Sequence, residues 1–245
     1  TKADVLNELP EKTETTIKVT LSPEERALYE QLREETQINL QTGEINPIQA
    51  LASLMKLRQA ACSPELVDSK LRLPSSKTQA FLGLVHNLME NRHRALVFSQ
   101  FTGHLALIRR ALEQEGIAYL YLDGAVTSSR RQKLVEEFEQ GEMPLFLISL
   151  KAGGTGLNLT AADYVIHLDP WWNPAVEDQA SDRAYRIGQE RPVTVYRLIA
   201  ADTVEEKILK LHGTKKSLAD ALLEGTELSR RLGREEIMEL LALAQ

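Results

Sequence analysis

A chain of 245 residues, 43% of them hydrophobic, is long enough for one large domain or for one and a half, and it is rich enough in apolar residues to bury a core. Its net charge of -6 argues against a broadly basic nucleic-acid platform, so any contact with a polyanion has to be local. The single cysteine, Cys62, excludes an internal disulfide, and the five histidines are scattered without a zinc spacing, so no metal site is expected.

In chain order, the opening Thr-Lys-Ala-Asp does not read as a signal peptide, and no apolar run approaches membrane length. This points to a soluble intracellular protein without a membrane partner: cytoplasm or nucleoid in a prokaryote, nucleus in a eukaryote. Ile17-Lys18-Val19-Thr20 alternates like a short strand. Ser22-Pro23-Glu24-Glu25 starts a helix, with an N-cap serine, proline at the first position and glutamate closing a capping box. That helix is expected to reach about Leu40, with Gly43 and Pro47 as breakers. A second helix carries Ile48, Leu51, Leu54, Met55 and Leu57 and stops before Ser63-Pro64. From Ser76 the texture becomes α/β. Ser76-Lys77-Thr78-Gln79 caps a helix that ends near Asn91. Strand-length apolar runs follow at 95–98, 119–122, 145–148, 164–168 and 193–196. Helices separate them, one with Leu105, Ile108 and Leu112 on a face, another with Leu134, Val135 and Phe138. Nearly continuous apolar strands alternating with helices imply a parallel sheet covered on both faces. A last helix starts at Thr203, with Glu206 completing a capping box.

Ligands of such sheets bind at the carboxyl ends of the strands, where the chemistry-bearing strings fall. Ser99-Gln100, Asp123-Gly124, Ser149 through Gly156, and Asp169-Pro170-Trp171-Trp172 each follow a strand. The glycines of Lys151 to Asn158 let a backbone approach a phosphate or sugar closely, and Lys151 is within reach of a phosphate. The run lacks the dinucleotide spacing G-x-G-x-x-G. Adjacent residues at a strand end point opposite ways, so one of Trp171 and Trp172 is expected to pack inside and the other to stand out for stacking on nucleic acid. Beyond them, Asn173 and Pro174 open a helix expected to run to Gly188. On it Gln179, Arg183 and Arg186 are spaced i, i+4 and i+7 and share one face, while Ala180, Ala184 and Ile187 form a face that can bury. Two planar, permanently charged guanidinium forks a turn apart suit a triphosphate. Yet no glycine is followed by lysine, so there is no phosphate-cradling Walker A loop, and no Asp is followed by Glu to hold magnesium. The chain resembles half of an active site.

These strings together carry a family resemblance. Leu9-Pro10-Glu11-Lys12-Thr13-Glu14, residues 57–64, Leu96 to Phe101, Leu122-Asp123-Gly124 with Arg130, Ala152 to Leu159, Trp172-Asn173-Pro174, Gln179 to Gln189 and Thr203 to Glu206 occur in order. From about Leu9 to Leu209 the chain resembles the C-terminal RecA-like (helicase C) lobe of a SWI2/SNF2 ATPase of helicase superfamily 2. The resemblance implies a RecA-like parallel sheet, a helical protrusion and a C-terminal brace helix. It divides the chain into a linker strand and protrusion (1–75), the lobe (76–202) and brace helices (203–245). It implies that Arg183 and Arg186 are arginine fingers, with Gln179 in the same motif, and that Gly156 and Asn158 touch nucleotide. Gln100, Lys151, Gly153 and Trp172 would line a DNA path. The implied cofactors are ATP and Mg, held mainly by another lobe. The implied partners are the N-terminal RecA-like lobe of the same protein, double-stranded DNA, and a protein complex to be displaced or remodelled. The parent would be a DNA-dependent ATPase that translocates on duplex, and this lobe alone would be inactive. A stand-alone module that grips DNA or a partner without chemistry fits the same half site. An RNA helicase lobe fits the Arg-Ile-Gly-Gln and Trp-Asn-Pro strings less well.

Overall fold

The structure, a computed structural model, describes residues 9–42, 47–153 and 156–214. Six strands form one sheet in the order β1-β6-β5-β2-β4-β3. They are β1 Lys12–Val19, β2 Ala95–Ser99, β3 Tyr119–Leu122, β4 Leu145–Ser149, β5 Tyr164–His167 and β6 Val193–Ala200. The helices are α1 Pro23–Thr42, α2 Pro47–Cys62, α3 Ser76–Glu90, α4 Thr102–Gln114, α5 Ser128–Gln140, α6 Leu150–Gly153, α7 Pro174–Ser181 and α8 Val204–Thr214, with a 3₁₀ turn at Pro64–Leu66. No helix among the described residues is long and apolar enough to cross a membrane.

Every residue of β2 and β4 is buried, as strands covered on both faces require. β2 pairs in parallel with β4 through Ala95↔Leu145 to Ser99↔Ser149 and with β5 through Ala95↔Tyr164 to Phe98↔His167. β3 joins β4 and β6 joins β5, also in parallel. The turns leaving β2, β4 and β5 therefore emerge side by side at one end of the sheet. β1 is longer than expected. Lys12 to Thr16 have no apolar alternation, so periodicity sees only the end of this strand. It forms because β6 offers hydrogen bonds: Val193 N donates to Glu11 O (2.9 Å) and Ala201 N to Val19 O (2.9 Å), the constant offset of a parallel pair.

The described chain divides into two compact units. Among the described residues, the first comprises 9–17, 80–153, 156–169 and 175–198; the second 18–42, 47–79, 170–174 and 199–214. Residues 9–17 fall in the α/β unit because of the β1–β6 pairing. Residues 215–245, which hold most of the expected brace, lie outside the described residues.

The core of the first unit brings the expected stripe of α4, Leu105, Ile108 and Leu112, all fully buried, onto Val97, Leu147 and Ile166 of the sheet. Each such side chain contributes roughly 1.5–3 kcal/mol by leaving water. In the second unit the capping box forms as read: Glu25 N donates to Ser22 Oγ (3.2 Å) and Ser22 N to Glu25 Oε2 (2.9 Å). Two other caps differ. Ser75, not Ser76, caps α3, its Oγ accepting from Thr78 N (3.2 Å). At α8, Thr203 Oγ1 accepts from Glu205 N (3.2 Å), while the Glu206 carboxylate turns to Lys18 (2.8 Å) in place of closing a box.

One buried base carries a pH dependence. His167 stacks on Phe98 (centroids 5.6 Å apart) and its Nε2 lies 3.0 Å from Ser181 Oγ. Burial pushes its pKa below the usual 6.5, despite the nearby Glu177 carboxylate. The folded chain then binds fewer protons at His167 than the unfolded chain does. The stability from its neutral form is complete above the unfolded pKa and declines as pH falls below it. Melting temperature should drop as pH falls below about 6.5, and His167→Asn should flatten that slope. Parallel pH–melting curves for the two proteins would refute the assignment.

Candidate active site half

The helix that opens at Pro174 stops at Ser181, well short of Gly188. Arg183 and Arg186 therefore do not share a helix face with Gln179. After Asp182 N bonds Asp178 O (2.8 Å), the chain tightens: Arg183 N bonds Ala180 O (3.2 Å) and Ala184 N bonds Ser181 O (3.1 Å). Continuing the helix would need the carbonyls of residues 183 and 184, and both are taken elsewhere. Leu159 N donates to Arg183 O (3.0 Å) and Gln189 Nε2 to Ala184 O (3.0 Å). Ala180 and Ala184 bury as expected, but Ile187 is 67% exposed. Gly188 has φ +101, which only glycine adopts readily, and it closes a turn in place of a helix.

The turn still gathers the three residues that helical spacing had grouped. Gln179, Arg183 and Arg186 line one cleft of about 490 Å³ with Leu9, Asp182 and Tyr185. Arg183 is buried, Arg186 exposed. Burial, reinforced by the charge of Arg186, lowers the pKa of Arg183, yet a guanidinium starts so far above neutrality that the group remains a cation at neutral pH. Its Nε is buried with no hydrogen-bond partner among the described residues. Lys12 of β1 stands beside this wall, 3.0 Å from Glu14, 3.9 Å from Asp182 Oδ1 and 5.8 Å from the Tyr185 ring centre.

Two further segments converge at the strand ends. After β4, Lys151 is exposed on the single turn of α6, which Gly153 ends, and Ser149 Oγ accepts from Ala152 N (3.3 Å). Gly154 and Thr155 lie outside the described residues. Gly156 has φ +53. Leu157 and Leu159 are buried while Asn158 between them faces solvent, so the segment presents Gly156 and Asn158 outward. After β5, Asp169 is buried and accepts from Gln100 N (3.2 Å), Gln100 Nε2 (2.9 Å) and Ser99 Oγ. Gln100, expected on a DNA path, thus has its carboxamide tied to a buried acid.

A family model described as the helicase conserved C-terminal domain matches residues 76–188. A putative ATP-dependent helicase/translocase, YwqA, of Bacillus subtilis is 39% identical over 249 residues, covering 98% of this chain and 27% of that protein. The Sulfolobus solfataricus SWI2/SNF2 ATPase C-terminal domain superposes with a TM-score of 0.77 at 28% identity, over 96% of this chain and all of that one. The core of that ATPase, in complex with double-stranded DNA, matches with a TM-score of 0.79 at 30% identity, over 99% of this chain and 53% of that one. The chain is a C-terminal, helicase-C lobe of the SWI2/SNF2 family. It has the RecA-like α/β fold of those domains. It spans about a quarter of the length of the curated relatives it matches.

In this SWI2/SNF2 lobe the cleft fits a phosphate-bearing ligand on its own evidence: two guanidiniums, one with a buried nitrogen lacking a partner, on a shared wall. It does not fit magnesium. The cleft lining has a single acid, Asp182, near Lys12, and arginines repel a cation.

The family resemblance implies a place for Trp172 on a DNA path; the residue is 7% exposed within the core of the second unit, among Leu54, Leu57, Val204 and Ile208. The Arg58 guanidinium lies 4.8 Å from the ring centre and donates to Pro170 O (2.5 Å). Of the pair, Trp171 is the one partly exposed. Sequence reasoning missed Asp169, Lys12 and the Gln189 side chain as parts of the site; each lay inside a quoted string, but a string does not show which way a side chain turns.

Trp172→Ala should act through stability, at roughly the 3–5 kcal/mol typical of a buried aromatic truncation, read as a fall in melting temperature. An unchanged melting temperature would contradict the packing described.

Proposed function

We propose that this lobe is the finger-bearing half of the ATPase centre of a translocase acting on double-stranded DNA. The observation that carries this reading is the convergence of Arg183 and Arg186 on one cleft, in a chain without its own phosphate cradle. ATP, held mainly on the N-terminal RecA-like lobe of the same protein, would supply the phosphoryl group transferred to water. The guanidinium forks of Arg183 and Arg186 meet the charge that spreads over the phosphoryl oxygens in the transition state. Gln179 stands in the same wall. Gly156 and Asn158 face outward beside it, suited to touching nucleotide and to linking it with the strand-end turns. Gln100, Lys151 and Gly153 follow the paired ends Ser99 and Ser149 and supply this lobe's part of a DNA track. The related ATPase core in complex with duplex supports that part of the reading. With a net charge of -6, the lobe meets phosphates only locally, so its own DNA affinity is weak and salt-sensitive.

In the intact protein, Arg183→Ala and Arg186→Ala should each lower DNA-stimulated turnover by roughly 10³ to 10⁵ with DNA binding retained, and lysine should rescue poorly because it lacks the fork. Turnover within twofold of the parent for both alanine variants would sink the reading.

The 245-residue chain by itself should release no phosphate from ATP, with or without DNA, because positioning on a cradle and a metal is missing. Joined to its N-terminal lobe it should hydrolyse ATP, faster with duplex present. Magnesium-dependent hydrolysis by the lone chain that survives Arg183→Ala would require a nucleotide site other than this cleft.

A further inference from the structure

Gln189 ends the Arg-Ile-Gly-Gln string and points away from the cleft. Its side chain is 6% exposed and fully engaged. Nε2 lies 3.0 Å from Thr160 O, 2.8 Å from Ala162 O and 3.0 Å from Ala184 O. Oε1 accepts from Arg191 N at 2.9 Å. Three acceptors on one side and a donor on the other fix which end of the amide is nitrogen. Two N–H hydrogens serve three carbonyls, so one of them is shared. The backbone of the same residue also holds the turn, Gln189 N donating to Arg186 O (2.9 Å).

The two segments it joins differ in how they are held. Thr160 Oγ1 and Ala161 N both donate to the Glu139 carboxylate of α5 (3.2 and 3.0 Å), so residues 160–162 are anchored to the lobe body. Residues 182–188 form turns after a helix has ended, and they connect to that anchored segment through Leu159 N to Arg183 O and through the Gln189 carboxamide.

We infer that Gln189 is the positioning residue of the arginine turn: its carboxamide clamps Ala184 to residues 160–162 and thereby sets where the Arg183 and Arg186 guanidiniums stand. The consequence for catalysis rests on the arginine-finger reading above; the clamp itself does not. A displacement of about 1 Å at a reacting group is enough to cost roughly 10²-fold in rate, so a residue that never touches the ligand controls turnover.

The test is made in the intact protein with two near-isosteric variants. Gln189→Glu replaces the donor NH₂ by oxygen, so a carboxylate faces three carbonyls and the clamp opens. On protonation the carboxyl regains one O–H donor, and burial raises its pKa, so lowering the pH from about 8.5 to about 6 should reclose the clamp. Gln189→Met keeps length and loses the donors at every pH. The titratable and charged groups around the clamp are Glu139 of α5, Glu190 and Arg191 of the following loop, Arg94 before β2, and Asp163 with His93, 2.7 Å apart. They are common to all three proteins and are removed by referring each profile to the unmutated one.

The first readout is hydrogen exchange at the amides of Leu159 and Gln189 without nucleotide. It should accelerate at least tenfold in both variants at the higher pH and return towards the parent rate at the lower pH in Gln189→Glu only. The second is DNA-stimulated hydrolysis, where kcat should fall by roughly 10² with KM little changed, recovering at low pH in Gln189→Glu alone. Parent-like exchange in both folded variants overturns the inference. So does accelerated exchange with intact turnover in a protein whose Arg183→Ala variant is inactive. If Arg183→Ala itself leaves turnover intact, the arginine reading has failed, and the exchange data still decide whether the clamp exists.

Discussion

The hydrogen bond from Leu159 N to Arg183 O joins two motifs that are more than twenty residues apart in the chain. One is the glycine-bearing segment after β4, the other the arginine turn after α7. A buried amide and a buried carbonyl left unpaired would each be costly, so this bond fixes both segments at once. It also occupies the carbonyl that a helix extended towards Gly188 would offer to Ile187 N. The architecture around the bond depends on the sheet: β2, β4 and β5 are adjacent and parallel, so the segments that leave them emerge together. The site is then assembled from strand-end turns whose relative positions the buried strands hold rigid.

The second unit is held by a different balance. Lys77 and Glu205 form an ion pair of 2.7 Å with both side chains only 1% exposed. Removing two charges from water is expensive, and such a pair holds only when the remaining lone pairs are satisfied. Glu205 Oε2 accepts from Ala200 N at 2.7 Å, and Cys62 Sγ lies 3.7 Å from Oε1. Tyr29 adds a hydrogen bond from Val204 N to its hydroxyl (2.7 Å), and burial raises the pKa of that hydroxyl, which keeps it neutral. These polar contacts join α1, α2, α3 and α8 within one core. Loss of one partner would leave an uncompensated charge, so the unit tolerates apolar repacking better than single-site polar truncation.

Much was legible in the residues themselves. Short runs such as Leu145-Phe146-Leu147-Ile148 read as strands covered on both faces, and the stripe Leu105, Ile108, Leu112 reads as a helix over them, because burial imposes its own period on the sequence. The Ser22–Glu25 capping box is a local device whose two hydrogen bonds span three residues, so the sequence determined it completely. The ordered strings determined the family. Tertiary structure decided the rest. It folded residues 182–188 into turns whose carbonyls bond Leu159 and Gln189 where a helix had been expected, it buried Trp172 under Arg58, and it lengthened β1 by lending it the hydrogen bonds of β6. Each of these outcomes turns on a partner distant in sequence. Local propensity and spacing describe what a segment does with its own atoms. Where a carbonyl, an indole or an edge strand finds a better partner elsewhere, the desolvation cost of leaving that partner unused decides the conformation.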